Sequence, residues 1–453
     1  MVALISVAER VPAVIGTDDV VPAATLLLPY FEVDPAANRT STLLSINNAD
    51  ALAVTAHVTL WTDLGVPTLG FDVFLTGYDV QTLNLRDVLI AGTLPKTSGC
   101  LPTRPLSAAR LAHLQAAHSG KPAGGFGGLC AAHDHGDAIL RGYVTVDAVN
   151  TCSSANVGVC NGEAPCATAC GDYCTGLGGV RDTSRCAGFC EFGSNDGGDC
   201  TSDQDCPGGS CIAGEPPSCQ CRCQVFPSGA GYFANGGVGV ASDSNVLWGD
   251  SFQIDPGGDT AHGEPLVHIE ASSADQRVTT AGNYTFYGHL VNGSAADNRE
   301  ALATTWGATY VNTLTDLTCW RDTGALQSPF ACGTVPPLLP LTEVVFFDYA
   351  ENPMDGNGPA CGLATARVTV GGPTLPVPFK SGWVYLNLNH ARSPLFDGRE
   401  QSYLGVIRAV VPGSSTISVN AVALDNATEP QSGLRATREP PALDATVADP
   451  GAR

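Results

Sequence analysis

Along much of the chain apolar and polar positions alternate with a period of two. Leu52, Val54, Ala56, Val58 and Leu60 line one side of a run whose other side carries Thr55, His57, Thr59 and Trp61. Successive side chains of a strand point to opposite faces, so this run predicts a strand with one apolar face. The same alternation marks 42–46, 143–147, 344–347, and Val384, Leu386 and Leu388 backed by Trp383 and Tyr385. The runs 404–411 and 416–424 flank Pro412-Gly413-Ser414-Ser415, a hairpin turn. Many short strands with Gly and Pro between them predict a mainly β fold of β-sandwich domains, immunoglobulin-like or jelly-roll-like. One short helix is predicted near 105–118, opened by Pro105, with Leu106, Ala109 or Arg110, Leu111, Leu114 and Ala117 as its apolar stripe.

The pattern breaks in the middle. Thirteen cysteines (Cys152, Cys160, Cys166, Cys170, Cys174, Cys186, Cys190, Cys200, Cys206, Cys211, Cys219, Cys221 and Cys223) lie among Gly, Asp and Ser. Large apolar residues are scarce there, so the segment has too little to bury an ordinary core and reads as a disulfide-rich irregular insert. The expected organisation is an extended segment at 1–22 and a first sandwich part at 23–150, then the insert at 151–228. A second sandwich part follows at 229–425, and a flexible or partner-docked tail at 426–453.

Five cysteines lie outside the block: Cys100, Cys130, Cys319, Cys332 and Cys361. Proximity pairs Cys100 with Cys130, pinning the helix, and Cys319 with Cys332. The odd count in the block then sends Cys361 to the insert. No Cys-x-x-Cys occurs anywhere, so zinc knuckles, redox pairs and haem attachment lose their signature. Disulfides imply an oxidising compartment. The stretch Asp199-Cys200-Thr201-Ser202-Asp203-Gln204-Asp205-Cys206-Pro207-Gly208-Gly209-Ser210-Cys211 resembles cysteine-rich segments of secreted myxobacterial and related proteins. The flanks at 138–150 and 245–255 resemble uncharacterised secreted bacterial β-rich proteins. That resemblance implies secretion and supplies no function.

Charge narrows the partners. The chain has 22 basic and 44 acidic residues, a net charge of −22, and only three lysines, Lys96, Lys121 and Lys380. Such a surface repels phosphate backbones and anionic lipid, which argues against nucleic acid, and it favours cations. No apolar run is long enough to span a bilayer, so no membrane insertion is expected. The start, Met1 to Ala8, has no basic residue and is followed by Glu9 and Arg10, unlike a signal peptide, and is expected to be that of a mature form.

Candidate chemistry is sparse. Gly249-Asp250-Ser251-Phe252 is similar to the Gly-Asp-Ser start of one esterase family, which would make Ser251 a nucleophile. No late Asp-x-x-His follows, and a turn is the plain alternative. His262, Glu264, His268 and Glu270 share a face if the segment is one strand, but Pro265 interrupts it. Only His268 and Glu270, about 7 Å apart along a strand, could then share a metal ion. His133-Asp134-His135 with Asp137, beside His113 and His118, forms a second set. Acidic loops suit structural calcium, with Asp196, Asp199, Asp203 and Asp205 favoured over Asp355-Gly356-Asn357-Gly358, though neither is an EF-hand loop. Asn38, Asn283, Asn292 and Asn426 each begin a glycosylation sequon. No catalytic centre emerges, so an enzyme is not expected. The leading expectation is a secreted structural or adhesive surface subunit, self-associating into a homopolymeric filament or layer by exchange of strands or terminal segments. A glycan-binding module using Trp61, Trp248 and Trp383 comes second, and a metal-dependent hydrolase third.

Overall fold

The computed structural model describes residues 21–36, 39–52, 54–95, 105–149, 188–191, 199–200, 204, 207–212, 243–257, 260–271, 299–300, 302–323, 327–334, 339, 343–356, 361–377, 379–388, 401–409 and 416–424. In chain order the elements are β1 (Thr25–Val33), β2 (Ser41–Asn48), β3 (Val54–Thr62), β4 (Pro67–Leu75), β5 (Val80–Asn84), α1 (Ala108–His118) and β6 (Leu140–Val149). Next come β7 (Gly188–Glu191), β8 (Asp199–Cys200), β9 (Ser210–Ile212), β10 (Leu247–Asp255), β11 (Thr260–Pro265) and β12 (Val267–Ile269). The last group is β13 (Thr305–Val311), β14 (Thr315–Arg321), β15 (Glu343–Phe347), β16 (Pro353–Asp355), β17 (Thr365–Thr369), β18 (Ser381–Asn387), β19 (Ser402–Ala409), β20 (Thr416–Asn420) and β21 (Val422–Ala423).

The protein is mainly β and sandwich-like. In the first sandwich a sheet ordered β12-β1-β6-β3-β4 faces one ordered β11-β10-β2-β5. Leu26, Leu28, Val58, Leu60 and Val146 from one meet Leu44, Ile46, Leu83 and Leu247 from the other in one core. In the second, β16-β15-β18-β13-β21 faces β17-β14-β19-β20. Its core joins Trp306, Tyr310, Phe346, Val384 and Leu386 to Leu317, Val368, Leu404 and Val406. The residues paired in every named sheet run antiparallel.

The division between sandwiches falls later than expected. β10 pairs with β2, β11 with β10 and β12 with β1, so these three strands complete the first sandwich, and the second begins at β13. The insert therefore interrupts the first sandwich: it departs after Val149, which pairs with Thr55, and the chain returns at Leu247, which pairs with Asn48. A small sheet, β8-β7-β9, is its described part.

The expected helix forms, but Ser107 rather than Pro105 opens it, accepting the Arg110 N–H at its hydroxyl. The disulfides also differ from the expected pairs. Cys130 bonds Cys332, not Cys100, and Cys319 bonds Cys361, not Cys332. Chain proximity misled because pairing follows strands. Phe330 is bridged to Cys130 across the two sandwiches, and Cys361 lies just before β17, the neighbour of Cys319's strand. No bridge from Cys361 to the insert is left. Among the described residues no helix is long and apolar enough to cross a membrane.

Candidate functional site

Polar residues gather at three places. The first is the outer face of the sheet containing β1, β3 and β6. Alternation sends Val54, Ala56, Val58 and Leu60 into the core and leaves Thr55, His57, Thr59 and Trp61 on the other side. That side is buried too: His57, Thr59 and Trp61 are 0% exposed. Register places His57 opposite Asp147, and Asp147 opposite Thr25. The Thr25 hydroxyl donates to Asp147 Oδ1 at 2.6 Å, and Arg299 Nε donates to Thr25 Oγ1 at 3.0 Å. Arg299 Nη1 lies 3.8 Å from Asp243, whose side chain reaches the surface. A buried carboxylate is costly unless bonded and balanced, and Thr25 relays the guanidinium to it. Imidazole, carboxylate and guanidinium are thus aligned, and all three are buried.

The second is the loop after α1. The Asp63 side chain is 1% exposed and holds two residues of that loop. Its Oδ1 accepts the His133 backbone N–H at 3.0 Å and its Oδ2 meets His135 Nε2 at 2.8 Å. The His133 and His135 rings stand 4.7 Å apart at 88°. Asp134 is bound by Lys121 at 2.7 Å and Asp137 by both terminal nitrogens of Arg141. These bonds hold both carboxyls below the ordinary aspartate range. On α1, burial drives His113 down to about 3 and His118 to about 4. Neutral His113 accepts the Gly125 N–H at Nδ1, and His118 donates from Nδ1 to the Arg141 carbonyl at 2.9 Å.

The third lies on the seam between sandwiches. Tyr30 donates to Glu32, which also takes Arg141 Nε at 3.3 Å and Gln253 Nε2 at 3.2 Å. Gln253 Oε1 in turn accepts from Arg367 of the second sandwich at 3.1 Å, and Arg367 is held by Asp316 at 2.7 Å. Burial, then the Glu32 carboxylate, push the Tyr30 hydroxyl well above its usual range. The Thr365 hydroxyl donates across the same seam to the Pro29 carbonyl.

The residues singled out from sequence are dispersed. His262 and Glu264 lie on β11 and His268 on β12, in different sheets, so the four do not share a face. His268 is buried with Nε2 against the Gly249 backbone and its ring beside Trp248. Glu270 faces Glu300 through reciprocal backbone and side-chain bonds at 3.0 Å. Ser251 Oγ lies on β10 and donates to the Glu264 carbonyl at 3.3 Å, so it is a strand residue and not a turn. Asp199 is on β8. Asp196, Asp203 and Asp205, Cys100, the sequon asparagines, the 412–415 turn, most insert cysteines and the 426–453 tail lie outside the described residues. Trp61 is fully buried, donating Nε1 to Thr145 Oγ1, and presents nothing to a glycan. Trp383 stacks on Phe347 with ring centres 3.7 Å apart.

Asp63 was not foreseen, nor were the seam residues Tyr30, Glu32 and Arg367. The one available signal for Asp63 was its place in Thr62-Asp63-Leu64-Gly65, a polar turn closing a strand. Among the described residues no group of three or more His, Cys, Asp or Glu side chains is arranged to hold a metal ion. Comparison with family models, curated proteins and solved structures finds no match.

Proposed function

We propose that this is an exported structural or adhesive surface protein, whose copies associate through one end of the first sandwich. The observation that carries the reading is an apolar tip beside an open sheet edge. Leu52 is 75% exposed, Tyr78 72% and Val80 60%. They sit on two turns knitted together by one buried residue: Asn48 Nδ2 donates to the Leu52 and Thr76 carbonyls, and its Oδ1 accepts the Asp50 N–H. Gly77 is required there, because a Cβ would fall 2.0 Å from the Ala51 carbonyl oxygen. Tyr78 is held at φ 57°, a conformation a bulky side chain adopts only at a cost. A fixed apolar display of this kind is a contact surface rather than a frayed loop.

Val80 opens β5, the last strand of its sheet among the described residues. A second copy laying a strand along β5 would satisfy its outer backbone groups and cover the tip. The disulfide Cys130–Cys332 and the seam network support the same reading, because they tie the two sandwiches together. Export rests on the two described disulfides.

Electron microscopy and light scattering of the purified native chain test this. Ordered assemblies are expected for the natural sequence and monomers for Tyr78→Gly/Val80→Thr. Monomers at every concentration of the natural chain would overturn it, as would equal assembly of the variant.

A further inference from the structure

The loop after α1 carries chemistry that a structural reading leaves unused. His135 Nε2 is committed to the buried Asp63 carboxylate, which fixes the ring and leaves Nδ1 as its second nitrogen. In the neutral ring the proton then sits on Nε2, and Nδ1 keeps a lone pair. The His135 side chain is 31% exposed, so the ring is in contact with solvent. Asp63 also fixes His133, by accepting its backbone N–H. One buried carboxylate therefore holds the ring of His135 and the backbone of His133. An outer carboxylate orienting a histidine by its far nitrogen is the usual support of a metal-binding imidazole.

The ring separation fits the same reading. With metal–nitrogen bonds of about 2.0 Å each ring centre stands about 3.2 Å from an ion; two rings at a right angle about it lie about 4.5 Å apart, and at the tetrahedral angle about 5.2 Å. The observed 4.7 Å brings the two rings, in edge-to-face contact at 88°, within the separation that two imidazoles on one ion require. Neighbouring positions of a tetragonal ion stand at a right angle. The nearby carboxylates are engaged, Asp134 by Lys121 and Asp137 by Arg141.

We propose that His133 and His135 form a two-imidazole site for a divalent transition-metal ion of tetragonal preference, Cu(II) before Zn(II), with water completing the shell. Cu(II) stands at the top of the affinity order for nitrogen ligands. The two side chains are consistent with the lack of any three-residue cluster among the described residues, since solvent supplies the remaining positions.

The test is a Cu(II) titration of the untagged, metal-free, full-length chain, followed by calorimetry and by electron paramagnetic resonance, which counts coordinated nitrogens. One Cu(II) per chain with two imidazole nitrogens is expected. His133→Ala and His135→Ala should each weaken binding at least tenfold and leave one nitrogen. Asp63→Asn should weaken it 10- to 100-fold with both histidines intact. Should that variant lose its fold by circular dichroism, the two surface histidine variants decide alone. Absence of binding overturns the proposal, as does an unchanged two-nitrogen signal in the double histidine variant.

Discussion

Cys130 and Cys332 are bonded to each other although 202 residues separate them. Their segments are already aligned: Cys130 and Phe330 exchange both backbone hydrogen bonds at 2.9 Å, one partner in the first sandwich's helical excursion and the other in the second sandwich. The bond closes a long loop, the case in which restriction of the unfolded chain is greatest, roughly 5 kcal/mol in the chain-entropy picture.

The two described disulfides should differ in lability. Cys319 and Cys361 are 0% exposed inside the second core, whereas Cys332 lies in a solvent-facing turn. Thiol–disulfide exchange needs access to a sulfur, so mild reductant should open Cys130–Cys332 first. Alkylation and peptide mass mapping over time should label Cys130 and Cys332 well before Cys319 and Cys361. Labelling in the reverse order would contradict the buried placement.

Parity relocates the tie between insert and scaffold. With 18 cysteines in the chain and four in the two described disulfides, 14 are left: Cys100 and the 13 of the block. If every cysteine is oxidised, Cys100 must pair with a block cysteine, because 13 is odd. Non-reducing peptide mapping should find Cys100 linked to a peptide from 152–223, and a free Cys100 thiol would refute this.

Much of the fold was legible because alternation reports sides. Val54, Ala56, Val58 and Leu60 enter the core as read, but Leu52, read onto the same face, precedes the strand and is 75% exposed; β19 and β20 pair antiparallel where a hairpin was expected. Alternation does not report what covers the other side. Thr55, His57 and Thr59 look like a solvated face and are buried because further chain covers it. Disulfide partners were misread for a related reason: Cys319 lies on β14 and Cys361 just before β17, the strand beside it, and chain spacing carries no trace of that. The paired histidines 133 and 135 were visible, but the buried carboxylate that positions them lies 70 residues earlier, beyond any local pattern.

Acid should loosen the region around α1. His113, at about 3, and His118, at about 4, both lie below the unfolded value of 6.5. The unfolded chain therefore binds protons that the native one refuses, so stability is full above about pH 6.5 and falls as pH drops toward 4 and then 3. Each buried imidazole contributes on the order of 3 kcal/mol to that loss. Urea midpoints at pH 7 and pH 4.5 should differ accordingly, and His118→Gln should flatten the slope. Equal midpoints in the natural protein would show that these histidines are not buried neutral.

Tyr78 separates strain from display. At φ 57° a glycine fits without penalty, while a β-branched residue is worse than tyrosine. Tyr78→Gly should leave stability unchanged or raise it by up to about 1 kcal/mol, and Tyr78→Val should lower it by about 1–2 kcal/mol. Thermal melts of the two variants check the ordering. A Tyr78→Gly protein less stable than Tyr78→Val would mean the ring makes contacts worth more than the backbone strain.

The row of Asp147, Thr25 and Arg299 makes the sharpest demand on the sheet. Arg299 is 1% exposed and reaches the Asp147 carboxylate through the Thr25 hydroxyl. Arg299→Met keeps the side-chain volume but removes the positive charge from beside a buried carboxylate. Leaving a buried charge uncompensated costs about 3–5 kcal/mol, so the variant should unfold at markedly lower denaturant. Asp147→Asn alone removes the nearer carboxylate and leaves the guanidinium Asp243 at 3.8 Å, so it should destabilise by less. The double variant removes both charges and should recover part of the loss, giving a coupling of about 1–3 kcal/mol in a double-mutant cycle. Strict additivity would mean that Asp147 and Arg299 do not sense each other through Thr25, and that the alignment carries no energy.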